Sequence, residues 1–275
     1  MSGTFRKKKQ YGQNFLINQA IPKRIAAESG ITEDCGVIEI GPGFGVLTKC
    51  LAQIAKKVVA VEIDSELIPI LEEKTAELTN IKIINNDIMQ IDIAALIENE
   101  LQAMPVCICA NLPYYITTPI LMKLLEGRHG FETITIMVQK EVADRLCAKS
   151  GSRNYGAITA AVGYYAKVKK LFVVSAGSFS PPPKVDSAVI RLDLYKSPPM
   201  HIEDEELLFK VIKAAFSQRR KTLVNSLHSV FNSNFTKDEI CDILKMIGFK
   251  SSVRGEELDI TDFARLSNLL IKNLL

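Results

Sequence analysis

Between Gly36 and Leu194 short β-branched runs alternate with stretches of helical periodicity. The runs are GVIEI (36–40), VVAVE (58–62), IKIIN (81–85), VCICA (106–110) and TITIMV (133–138). Between them, Gly45 to Ala55, Ser65 to Thr79 and Thr118 to Glu126 read as helices, the last with Thr118 as N-cap and Pro119 at the first helical position. Such alternation predicts a mostly parallel, doubly wound α/β sheet whose strands end in loops that open helices, which is where such sheets bind ligands.

The texture changes after Ser180. Pro181-Pro182-Pro183 cannot continue a hydrogen-bonded ladder, whereas SAVIRLDL (187–194) alternates as a closing strand does. A turn at Ser197-Pro198-Pro199 follows, and beyond it only helical patterns occur. Leu207, Leu208, Val211, Ile212, Ala215 and Phe216 share one stripe, and Thr236 with Glu239 forms a capping box. The expected organisation is an α/β domain over residues 1–196, opened by a basic arm over residues 1–18, and a small all-helical domain over residues 197–275.

Composition narrows the class. The chain has 275 residues, 47% hydrophobic and 24% charged, enough apolar material for a substantial core. No apolar run approaches the roughly 20 residues that span a bilayer, and no apolar stretch follows the basic N-terminus, so a membrane span and a secretory signal are not expected. The six cysteines are scattered without a C-x-x-C pair and the three histidines are isolated, which fits reduced thiols in the cytoplasm and no metal site. Cys107 and Cys109 share one face of a strand and read as structural. A net charge of +3 does not by itself imply a polyanionic partner; two clusters, Arg6-Lys7-Lys8-Lys9 and Arg219-Arg220-Lys221, bear on that question.

Candidate chemistry falls at the strand ends. Glu39-Ile40-Gly41-Pro42-Gly43-Phe44-Gly45 leaves a strand and opens a helix, and its glycines permit a tight turn and close approach of a nucleoside-like ligand. The spacing is G-x-G-x-G, with Val46 where a dinucleotide fingerprint would carry its third glycine. Glu62 ends the next strand, 21 residues after Gly41, where a carboxylate can accept from both hydroxyls of a ribose; Asp64 competes for that role or caps the following helix. Asp87 follows the third strand and is either an acceptor for an adenine amino group or a turn residue. After the fourth strand comes Asn111-Leu112-Pro113-Tyr114-Tyr115. An Asn oxygen and a neighbouring backbone carbonyl can accept both hydrogens of an exocyclic amine while an aromatic ring stacks on its base. The amine's lone pair is conjugated into the ring, and acceptors that hold its hydrogens favour the pyramidal geometry needed to attack a sulfonium methyl group.

At these residues the sequence resembles the KsgA (RsmA) family of ribosomal RNA adenine dimethyltransferases, nearly end to end. The resemblance also runs through Tyr11 to Leu16, Phe179-Ser180-Pro181-Pro182-Pro183-Lys184-Val185-Asp186-Ser187 and Phe216-Ser217-Gln218-Arg219-Arg220-Lys221-Thr222-Leu223. It implies a Rossmann-like class I methyltransferase fold, with S-adenosylmethionine bound at Asn14, Leu16, Gly41, Gly43, Glu62, Asp87 and Asn111 and released as S-adenosylhomocysteine without a metal. It further implies that Asn111 and Leu112 hold the target amine, that Tyr114 and Phe179 sandwich a flipped adenine, and that Arg219, Arg220 and Lys221 meet RNA. The implied substrate is a pair of adjacent adenines in a hairpin near the 3′ end of 16S-type rRNA in the small ribosomal subunit, modified by a monomer during ribosome biogenesis. The competing readings are a related methyltransferase acting on large-subunit rRNA, a non-catalytic ribosome-assembly factor, and a nicotinamide dehydrogenase, which the glycine spacing disfavours.

Overall fold

The computed structural model of the chain describes residues 14–218 and 220–273; the basic cluster at 6–9 and Arg219 lie outside the described residues. Two compact units emerge, one running up to Ala143 and resuming over Lys167–Leu194, the other formed by Asp144–Ala166 and the chain from Tyr195 onward.

In chain order the first part comprises β1 (Phe15–Leu16), α1 (Ala20–Glu28), β2 (Gly36–Ile40), α2 (Val46–Ala52), β3 (Lys57–Glu62), α3 (Ile68–Thr75), β4 (Ile81–Asn85), α4 (Ile93–Glu100), β5 (Val106–Asn111), α5 (Thr117–Glu126), β6 (Phe131–Gln139) and α6 (Lys140–Leu146). Then come α7 (Ala157–Tyr165), β7 (Ala166–Val174), β8 (Phe179–Ser180), β9 (Ser187–Leu194), α8 (Glu205–Ala215), α9 (Leu223–Phe231), α10 (Lys237–Met246) and α11 (Ile260–Lys272). Seven strands make one sheet in the order β4-β3-β2-β5-β6-β9-β7. The pairs among β2, β3, β4, β5 and β6 are parallel, and β9 runs antiparallel to β6. The chain moves outward from β2 to β4 and then returns to place β5 on the other side of β2. A crevice opens at such a reversal, beyond the carboxyl ends of the two strands. β2 is buried along its whole length, as befits a strand covered on both faces.

Every β-run read from the sequence is a strand, and the observed architecture is the expected α/β sheet with a helical C-terminal part. The helices start and stop differently. Thr118 is not the N-cap of α5: the helix opens at Thr117, with Ile116 in the cap position, and the Thr117 hydroxyl donates instead to the Pro113 carbonyl at 3.1 Å. α2 and α3 are shorter than their apolar patterns. Ile54 and Ala55 both turn back to the Leu51 carbonyl, and Asp64 organises a turn ahead of α3, accepting from Glu66 N at 3.2 Å. The single boundary expected near residue 197 also changes, because α7 belongs to the helical unit. Ala160 and Tyr164 are buried with Leu208, Val211 and Phe263, the Tyr164 hydroxyl donates to Glu205 Oε1 at 2.7 Å, and Tyr165 stacks on Phe209. No helix among the described residues is long and apolar enough to cross a membrane.

Candidate active site

The ends of β2, β3 and β5 together with β1 surround a cleft with about 900 Å³ of empty space, part of it open to solvent. Gly41, Gly43 and Gly45 all carry positive φ, so the loop leaving β2 turns tightly toward α2. Gly45 has a second reason to be glycine: a Cβ there would lie 2.6 Å from Leu71 Cδ1 of α3. Gly41 and Gly43 line the cleft, and a Cβ on Gly43 would press to 3.1 Å from the Phe15 ring.

Glu62, at the end of β3, is buried and faces the same cleft. Its Oε2 accepts from Gly43 N at 3.0 Å and its Oε1 from Asp64 N at 2.9 Å, so one carboxylate ties the glycine loop to the strand end. Burial raises its pKa above the ordinary carboxylate value, making it a weaker acid, against the pull of these N–H donors. The carboxylate keeps acceptor capacity for a ligand. Asp64 does not line the cleft.

Asn111 closes β5 beside Gly41. Its Nδ2 donates to the Asn14 carbonyl across a long 3.5 Å, which leaves Oδ1 as the acceptor of the side chain. The Pro113 carbonyl takes Ile116 N at 3.2 Å and Thr117 Oγ1 at 3.1 Å and is thus engaged within the turn. Tyr114 is half-buried, with its hydroxyl 2.7 Å from Ser187 Oγ on β9; burial raises the phenol's pKa. β1 pairs antiparallel with β8, setting Leu16 opposite Phe179.

The structure thus gathers Asn14, Leu16, Gly41, Gly43, Glu62, Asn111, Leu112 and Tyr114 on one cleft. Two expected residues are not on its wall. Phe179 is 2% exposed and packed in the core with Val189 and Val174, because its strand turns that side chain inward. Asp87 folds into a local turn, its Oδ1 accepting from Met89 N at 2.9 Å. Lys123 of α5 holds that turn, donating to the Met89 and Ile91 carbonyls at 2.7 and 2.9 Å. Arg220 and Lys221 are exposed in the turn between α8 and α9 of the helical unit.

Sequence reasoning passed over Glu39. This acid lines the cleft from β2, is 1% exposed, and its Oε2 has no hydrogen-bond partner. Desolvation pushes its carboxyl up to about 8, with the nearby Thr48 hydroxyl pulling down and the Glu62 charge adding to the rise. The signal was present as the one acid inside the apolar run GVIEI. An orphaned buried carboxylate suits a cationic ligand group, while Glu62 suits paired hydroxyls; the combination fits the ammonium and ribose of S-adenosylmethionine.

Comparison with known proteins agrees with this chemistry. The family model described as ribosomal RNA adenine dimethylase matches residues 4–271. The ribosomal RNA small subunit methyltransferase A of Geobacillus thermodenitrificans is 47% identical over 266 residues, covering 96% of this chain and 91% of the relative. Among solved structures, a dimethyladenosine transferase from Plasmodium falciparum aligns with a TM-score of 0.79 at 28% identity, covering 94% of this chain and 98% of that one. The 23S rRNA methyltransferase ErmE aligns at 0.74 and 26% identity, covering 94% and 100%. On the match of nearly its whole length, the chain belongs to the ribosomal RNA adenine dimethylase family.

Proposed function

We infer that the protein transfers methyl groups from S-adenosylmethionine to N6 of two adjacent adenines in the 3′-terminal hairpin of small-subunit, 16S-type rRNA, working in the cytoplasm as a monomer. The observation that carries this reading is Asn111, held between the glycine loop and Tyr114 with its amide oxygen as the remaining acceptor. When bound, S-adenosylmethionine supplies a methyl group activated by its sulfonium. Glu39 accepts from its ammonium, Glu62 from its ribose hydroxyls, and the glycine loop lets backbone approach it closely. Asn111 Oδ1 and the Leu112 carbonyl accept the two hydrogens of the adenine amine, and Tyr114 stacks on the base. A proton leaves only after transfer, when the nitrogen is cationic and acidic, so the chain needs no strong base.

Asp87 and Phe179 enter this proposal through rearrangement: Asp87 meets the adenine of the cofactor, and Phe179 turns to cover the second face of the target base when RNA binds. Arg220 and Lys221, with Arg219, neutralise RNA phosphates in a sequence-independent way. Replacing Arg220 and Lys221 with Gln should weaken particle binding and reduce its salt slope by about two charges without altering cofactor affinity.

The likeness to ErmE favours one second reading, methylation of large-subunit rRNA. The 47% identity to a small-subunit enzyme and the Phe179–Ser187 segment weigh against it. The test is incubation with labelled S-adenosylmethionine and unmodified small subunits, mature small subunits or large subunits. Label as N6,N6-dimethyladenosine in the unmodified small subunit alone is expected; label in the large subunit would transfer the assignment to the second reading.

A further inference from the structure

The turn that opens α5 carries two adjacent tyrosines with different environments. Ile116 N and Thr117 Oγ1 both donate to the Pro113 carbonyl, so Tyr114 and Tyr115 occupy the centre of a doubly pinned turn. Tyr114 lines the cleft and is held at its hydroxyl by Ser187. Tyr115 is 62% exposed, more than any other large apolar side chain described in the α/β unit. Three of the remaining exposed apolar groups of that unit fall close to the cleft along the chain. Ile63 lines it, Ile17 follows the lining residue Leu16, and Val185 lies two residues before Ser187. Val173, on β7, stands apart.

An RNA base drawn into a cleft leaves its chain neighbours unstacked, and their exposed faces gain by meeting an aromatic ring. We propose that Tyr115 stacks on the unpaired base adjacent to the adenine held in the cleft, so that the tyrosine pair receives consecutive nucleotides. Successive Cα atoms lie about 3.8 Å apart, so Tyr115 stands directly beside the cleft-lining Tyr114 along the chain. A ring carried on a pinned turn also loses little freedom on stacking. This role for Tyr115 rests on the RNA-methylating reading given above and adds a substrate-binding residue to it.

The test compares Tyr115→Ala, Tyr115→Leu and Tyr115→Phe in methylation of unmodified small subunits, with S-adenosylmethionine affinity measured in parallel as a check on the fold. Tyr115→Ala should lower kcat/KM for the particle roughly 5- to 150-fold, the loss of one base–aromatic stack. Tyr115→Phe should stay within about threefold of the parent because the stacking face is kept, and Tyr115→Leu should be as poor as Tyr115→Ala. Cofactor affinity should match the parent in all three. Recovery by Leu, or parental kcat/KM in all three variants, would overturn the stacking role while leaving the methylating reading intact. A parent protein that modifies no small subunit would overturn that reading and this one together.

Discussion

The two walls of the cleft are built differently. On the glycine-loop wall, Glu62 is fixed by N–H groups two and 19 positions away, within one strand–helix–strand unit. On the opposite wall, Asn111 is tied to Asn14 across 97 positions and Tyr114 to Ser187 across 73. The first wall is assembled by local chain geometry; the second exists only once the N-terminal segment and the last strand have come in. Local construction suits a wall that must hold a cofactor, whereas the second wall can be disturbed at a distance without touching the first.

The comparison can be broken most forcefully at Asn111. Asn111→Ala removes the acceptor proposed to position the amine and should lower turnover by roughly 10²- to 10³-fold, with a much smaller effect on cofactor affinity by calorimetry. Near-parental turnover would remove Asn111 from the chemistry. Glu62→Ala should act on the other wall, weakening cofactor binding by about 1–3 kcal/mol as ribose hydroxyls and the Gly43 N–H lose their acceptor. A variant with intact affinity would transfer the role to another acid.

Smaller effects sharpen the picture. Tyr114→Phe keeps the ring but leaves the buried Ser187 hydroxyl without its partner, costing about 1 kcal/mol in unfolding free energy; Tyr114→Ala should add a loss of about 1–3 kcal/mol in base stacking, read in kcat/KM for the particle. If Phe fails in catalysis as badly as Ala, the hydroxyl rather than the ring does the positioning. The finest effect concerns Glu39, whose carboxyl is held neutral by burial. Below about pH 4.5 it is neutral folded and unfolded, so it costs nothing; as pH rises toward 8 the unfolded chain ionises first and the cofactor-free protein loses stability, with no further loss above that. Glu39→Gln should flatten that slope in pH-dependent unfolding. Pairing with an ammonium restores the charged form, so cofactor binding near pH 7 should release a proton in the parent and none from this position in Glu39→Gln, measured by calorimetry in buffers of different ionisation enthalpy.

These walls also mark what could be read from the sequence. The glycine loop, Glu62 and the strand runs were legible because each depends on neighbours in the chain, and SAVIRLDL stands in the structure over the residues its alternation marked. Nothing in the local pattern said that Ser187 holds Tyr114, or that Asn14 meets Asn111. Glu39 escaped because its meaning comes from burial, which periodicity alone does not assign to one acid. α7 was missed for a related reason: AITAAVGYY is apolar nearly all round, so it carries no stripe to distinguish it, and its allegiance to the helical unit is decided by Tyr164 and Tyr165 packing on α8. Phe179 was placed by resemblance, and its inward packing is a tertiary outcome; for Asp87 the structure shows the local turn that was one of its two readings.

The division of labour between the walls is tested most directly by one paired measurement on Glu62→Ala and Asn111→Ala: cofactor affinity by calorimetry, and single-turnover methylation of unmodified small subunits at saturating S-adenosylmethionine. A crossed pattern is expected, in which Glu62→Ala takes the larger loss of affinity yet retains most of its single-turnover rate, while Asn111→Ala retains most of its affinity and loses the rate. Parallel losses of affinity and rate in both variants would contradict the account, because the two walls would then act as one site with no separable tasks.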